Sequence, residues 1–144
     1  MRRVILLLAL PMAAAPDSTT LFRLGSERLR AGDAVAAIRH YRDVLRDSPT
    51  HFGARANTGA AHAALGQHAR AADAYSDALR RASAAGGADP ATSAVSVATL
   101  AAVRSNLGAS LGSLRRHAEA AYYIEGAIAM QEGLGNGRLR RGGS

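Results

Sequence analysis

The chain has 144 residues, room for one small domain with its ends, and its 48% hydrophobic content includes only 4% aromatic residues, so the apolar share is largely alanine. Alanine favours helix and lets helices approach closely, but it makes a thin core whose stability neighbouring units must share; the lack of cysteine excludes disulfides and thiolate chemistry. The net charge of +7 is concentrated at the ends: without Arg2, Arg3, Arg138, Arg140 and Arg141, 13 basic residues, all arginine, stand against 11 acidic ones, with no basic stripe and few aromatics for base stacking, which argues against nucleic acid as a partner.

Residues 1–15 read as a signal peptide. Arg2 and Arg3 form a basic start, Val4 to Leu10 are continuously apolar, and Ala13-Ala14-Ala15 offers a cleavage site that would make Pro16 the first mature residue. The apolar run is shorter than the ~20 residues of a membrane helix, so no stable membrane insertion of the mature chain is expected. Export to the secretory pathway or another extracytoplasmic space follows, with entry to an organelle lumen through a transit peptide as the alternative.

From there the punctuation predicts paired helices. Asp17, Ser18 and Thr19 can cap a first helix bearing Leu21, Leu24 and Leu29; Gly32 ends it and Asp33 caps a second, with Val35, Ile38, Tyr41, Val44 and Leu45 at helical spacing. Pro49 closes the pair. A second pair restarts near His51, turns at Gly66 and runs from about His68 to Ser83, with Ala61, Ala64, Leu65, Ala71, Ala74, Tyr75, Ala78 and Leu79 as its buried faces. Gly86-Gly87 breaks the chain, and Asp89-Pro90 suits a new helix start whose apolar pattern from Ala91 to about Ser113 lengthens the first helix of the third pair. After about Glu132 the glycines predict a disordered basic tail, residues 134–144.

Three glycines organise these pairs. From Gly25, Gly59 and Gly108, an alanine follows at the twelfth residue (Ala37, Ala71, Ala120) and a bulky residue at the sixteenth (Tyr41, Tyr75, Ile124). A small apolar residue follows at the nineteenth (Val44, Ala78, Ala127). Gly25 and Gly59 lie 34 residues apart, a spacing that points to stacked helical hairpins. A bulky side chain at Gly59 is expected to overpack a helix contact and cost ~1–3 kcal/mol.

The strings Leu24-Gly25, Asn57-Thr58-Gly59, Ala63-Ala64-Leu65-Gly66 and Asn106-Leu107-Gly108 resemble the tetratricopeptide repeat (TPR) family, as do Ala71-x3-Tyr75-x2-Ala78-Leu79 and Glu119-Ala120-x3-Ile124-x2-Ala127-Ile128. Departures are Arg55 and Arg104 at a bulky apolar position and Arg115 at the third turn glycine. Residues 127–135 also resemble the end of kinesin-light-chain-type repeats. The resemblance implies an all-α, right-handed solenoid of three antiparallel helical hairpins (about 18–51, 52–85 and 101–133, with an insertion at 86–100, in a domain spanning 16–133). It further implies a protein or peptide partner bound as an extended segment in a concave groove lined by Phe22, Arg23, Ser26, Arg30, Asn57, Ala60, Ala64, Asn106 and Ser110.

Asn57 and Asn106 each precede their glycine by two residues, so their amides occupy equivalent places and could read a peptide main chain. This pair is similar to the asparagine ladder of O-GlcNAc-transferase-type repeats, although asparagine there also serves as a plain interhelical hydrogen-bonder. Of the clamp by which the family holds chaperone tails, only Asn57 is matched. No catalytic constellation is legible, so no enzyme activity and no cofactor are expected. The five histidines lack metal-ligand spacing, and the aspartate pairs Asp43/Asp47 and Asp73/Asp77 stand beside arginines suited to ion pairing. Two other readings remain open: the repeats of a larger glycosyltransferase-like enzyme, and a self-assembling scaffold that forms homo-oligomers through the last helix, where Ala121, Tyr122, Ile124 and Ile128 have no following helix to cover them.

Overall fold

A computed structural model describes residues 14–84 and 95–141. Among them are six helices and no strand, so the fold is all-α: α1 (Ser18–Arg30), α2 (Ala34–Asp47), α3 (Phe52–Ala64), α4 (His68–Ala84), α5 (Val97–Ser113) and α6 (His117–Arg141). Each helix packs mainly on its neighbours in the chain, and α1–α3 and α3–α5 touch lightly. The expected leader, up to residue 13, and residues 86–94 of the expected insertion lie outside the described residues.

Local chemistry fixes the helix ends. Asp17 accepts from the Thr20 N–H at 2.7 Å to start α1, and Asp33 accepts from the Ala36 N–H at 3.0 Å to start α2. At α3 the cap is His51, whose Nδ1 accepts from the Ala54 N–H at 3.1 Å, so the ring proton sits on Nε2. Ser96 caps α5 through the Thr99 N–H at 3.1 Å. Thus α5 begins at Val97 rather than at Ala91: it has 17 residues against 13 in α1 and α3, an extension of one turn beyond its in-phase counterparts. At the other end α6 runs through Gly133 and Gly135 to Arg141, where the glycine content predicts a disordered tail. Each glycine lowers helix propensity by about 1 kcal/mol, yet extending a formed helix adds one hydrogen bond per residue.

The three links within pairs share one hydrogen-bond pattern. Gly32, Gly66 and Arg115 take left-handed conformations, with φ of 84°, 71° and 60°. Their N–H groups donate to Leu29, Ala63 and Gly112, and the next N–H in each link donates to Arg28, His62 and Leu111. These bonds satisfy carbonyls at the helix end that would otherwise lack partners.

Two apolar clusters form the core. One joins α1, α2 and α3 through Leu21, Ala37, Tyr41, Val44, Ala54 and Ala61. The other joins α3 to α6 through Phe52, Ala56, Tyr75, Val103, Leu107 and Ala120. Helix α3 divides its buried residues between them, which couples the halves. Not every expected core residue is inside: Val35 is 50% and Leu65 40% exposed, and Ala64 is exposed as well. A helical period places them near the apolar stripe, but Ala34 and Ala61 take the buried places.

Arg115 performs a glycine's task with a Cβ in the way, at a cost of the order of 1 kcal/mol. Arg115→Gly is therefore expected to raise stability by about that amount in urea unfolding, whereas Gly66→Ala lowers it. Unchanged or reduced stability of Arg115→Gly would contradict this account of the turn.

Candidate functional site

The expected groove residues separate into different environments. In the first half a chain of hydrogen bonds crosses three helices: the Asn57 amide donates to the Tyr41 hydroxyl at 3.3 Å, Tyr41 donates to the Ser26 hydroxyl at 3.3 Å, and Ser26 donates to the Phe22 carbonyl at 3.0 Å. Phe22 lies against Tyr41 and His51, with ring centroids 5.9 and 4.8 Å away. Phe22, Ser26 and Asn57 are thus half-buried and joined to the packing between α1, α2 and α3. Arg23 is exposed and pairs with Glu27 at 2.6 Å, while Arg30 and Ala64 are exposed.

The second half is more open. Asn106 is exposed on α5, facing the Tyr75 hydroxyl; burial pushes the Tyr75 pKa up, and the hydrogen bond from Asn106 works in the opposite direction. Ser110 is only 3% exposed, and its hydroxyl donates to the Asn106 carbonyl at 3.0 Å. Ala60, Tyr75, Asn106 and Ser110 border one cleft of about 280 Å³ between α3 and α5. Three of the nine expected residues, Ala60, Asn106 and Ser110, therefore meet in one place. The two asparagines do answer to one rule: each amide stands by the tyrosine hydroxyl of the preceding pair.

Charge is organised inside the second pair. Asp77 is mostly buried and meets Arg55 at 2.5 Å, Arg81 at 2.9 Å and also Arg80. Burial alone would raise its pKa, but the Arg81 hydrogen bond and the charges of Arg55, Arg81 and Arg80 hold it below the usual carboxylate range. Arg55 also donates to the Pro49 carbonyl at 2.6 Å, tying the loop before α3 to the pair. Arg104 holds the equivalent place on α5, but it faces Gly126, and its Nε is buried without a partner among the described residues. Among the described residues, no group of three His, Cys, Asp or Glu side chains is arranged to hold a metal ion, and no helix is long and apolar enough to cross a membrane.

A larger cleft, about 630 Å³, lies between α2, the end of α3 and the start of α4. Arg39, Arg42 and Arg70 rim it, over a floor that includes Val35, Ile38 and Leu65. The sequence reading missed this site because it assigned Val35, Ile38 and Leu65 to the core; the available signal was Arg39 and Arg42 interleaved with them on one stripe. No protein-family model and no curated protein matches this chain.

The Asn57–Tyr41 bond makes Asn57 a structural residue first. Asn57→Ala is expected to lower unfolding stability by about 1 kcal/mol. In a double-mutant cycle with Tyr41→Phe the two losses should fall short of additive, since both remove one bond. Strictly additive losses would show that the bond contributes nothing.

Proposed function

We propose that the chain is a non-catalytic, TPR-like protein-interaction module whose three hairpins stack as a right-handed solenoid and present α1, α3 and α5 to an extended peptide. The cleft between α3 and α5 is the observation that carries this reading. Its exposed Asn106 amide offers both a donor and an acceptor, and the small residues Ala60, Ala63 and Ala109 leave room for a main chain beside it. The common hydrogen-bond pattern of the three links, together with the glycine contacts repeated at one offset, supports a tandem arrangement of like units. Affinity from so small a surface is modest.

A second reading has its own support: the chain self-associates through α6. Tyr122 is 66% and Ile128 48% exposed there, large apolar side chains of the kind that mark interfaces.

The module is proposed to work outside the cytosol after removal of residues 1–15. Expressed in its host, the mature protein should begin at or within a few residues of Pro16 by N-terminal mass spectrometry; an intact Met1 on a cytosolic protein would overturn this.

For the groove, Asn106→Ala is the discriminating variant. It is expected to weaken binding of a peptide captured from the host's extracytoplasmic fraction by ~1 kcal/mol, with the thermal midpoint nearly unchanged, because an exposed amide is hydrated when no ligand is present. A lowered midpoint with unchanged affinity per folded molecule would place Asn106 with Asn57 as a packing residue and end the peptide reading.

A further inference from the structure

The larger cleft and the exposed face of α6 have opposite chemistry. Arg39, Arg42 and Arg70 form no ion pair among the described residues, no carboxylate lines the cleft with them, and Val35 and Leu65 leave large apolar surfaces open beside them. On α6, Tyr122, Glu125, Ile128 and Glu132 follow at intervals of three and four residues, so they share one stripe. All four are exposed, and neither glutamate has an ion pair among the described residues. Most other described carboxylates are already engaged in ion pairs or as helix caps.

We propose that the cleft between α2, α3 and α4 receives the α6 helix of a second copy of this chain, Glu125 and Glu132 meeting Arg39, Arg42 and Arg70 along the middle of the stripe while Tyr122 and Ile128 at its edges meet the apolar floor. This inference rests on the self-association reading and names the surface that α6 meets. An amphipathic helix laid in an apolar groove is a common recognition mode. The dimensions suit it. Glu125 and Glu132 are two turns apart, ~10 Å along the helix, and Arg39, Arg42 and Arg70, spread over two helices on long side chains, can reach both. The apolar contact supplies affinity, and the charges fix orientation and exclude the reverse pairing of two α6 faces, which would oppose like charges. A cleft and a helix on each copy can pair reciprocally in a closed two-fold dimer or run head-to-tail into chains or rings.

Charge reversal tests this on the full chain by sedimentation velocity, with helicity checked by circular dichroism. The unaltered protein is expected to associate at micromolar concentration and to dissociate in about 0.5 M salt. Arg39→Glu with Arg42→Glu, and separately Glu125→Arg with Glu132→Arg, should each weaken association about tenfold or more. The neutral pair Arg39→Gln with Arg42→Gln supplies a milder variant should a reversal disturb folding. Mixing the two reversed chains should restore assembly, because each then offers the charge that the other's cleft or helix lacks. If the reversals leave association intact while Ile128→Glu abolishes it, α6 self-associates but through another surface, and the inference falls alone. A monomer at every concentration overturns both this inference and the reading beneath it. Reversed chains that dissociate but do not recombine on mixing overturn the pairing.

Discussion

In each helical pair a glycine on the first helix lies directly against the bulky side chain sixteen residues later on the second. A Cβ on Gly25 would lie 2.7 Å from Tyr41, one on Gly59 2.8 Å from Tyr75, and one on Gly108 2.6 Å from Ile124, all closer than real Cβ atoms approach. In each pair the large side chain therefore fills the space that the missing Cβ leaves. In a chain whose core is mostly alanine, these few large side chains supply much of the packing between helices. The same contact fixes the tyrosine ring, and with it the place of the hydroxyl. There it meets the asparagine of the next pair. One steric constraint thus sets both the depth of a pair and the polar link to its successor.

That link fades along the chain for a reason visible in three residues. The first pair has Ser26 beside Gly25 and completes the run from Asn57 through Tyr41 to Phe22. In the second pair Ala60 replaces the serine, so Tyr75 has no such acceptor, and Asn106 is left more open. The third has Ile124, which packs against its glycine as the tyrosines do but carries no hydroxyl. The step from a half-buried amide to an exposed one makes the cleft by Asn106 the better candidate for a ligand.

The helical pairs, their turns and the helix-to-glycine register were legible in the sequence because each rests on local chemistry or on an offset repeated three times. Gly32 and Gly66 announce their turns; even Arg115, which carries no such signal, keeps the turn because the helices on either side demand it. What was not legible depends on which of two adjacent apolar residues turns inward. Val35 sits one position from the buried Ala34 and Leu65 one turn beyond the buried Ala61, at the C-cap of α3, and periodicity alone cannot assign them when alanine is good enough for the core. Nor does a sequence reveal that Asn57 spends its amide on Tyr41, since the two lie sixteen residues apart and meet only once the pairs are packed. The start of α5 was misplaced because Asp89-Pro90 and Ser96 are both sound start signals, and the described cap is the later one.

The arginines divide by whether a carboxylate waits for them. Arg55 stands where the first pair has the buried Leu21, and its charge is tolerated because Asp77 on the facing helix neutralises it and the Pro49 carbonyl takes another donor. Removing Asp77 would leave a largely buried guanidinium without its counter-charge, so this pair is a constraint on folding rather than a site for a ligand. Arg39, Arg42 and Arg70 face the opposite situation. They stay in water, where an unpaired arginine costs little, and their stems border apolar side chains that folding has left uncovered. An internal ion pair closes a surface; a rim of solvated arginines around an apolar floor leaves one open to a partner that brings both carboxylates and hydrophobic side chains.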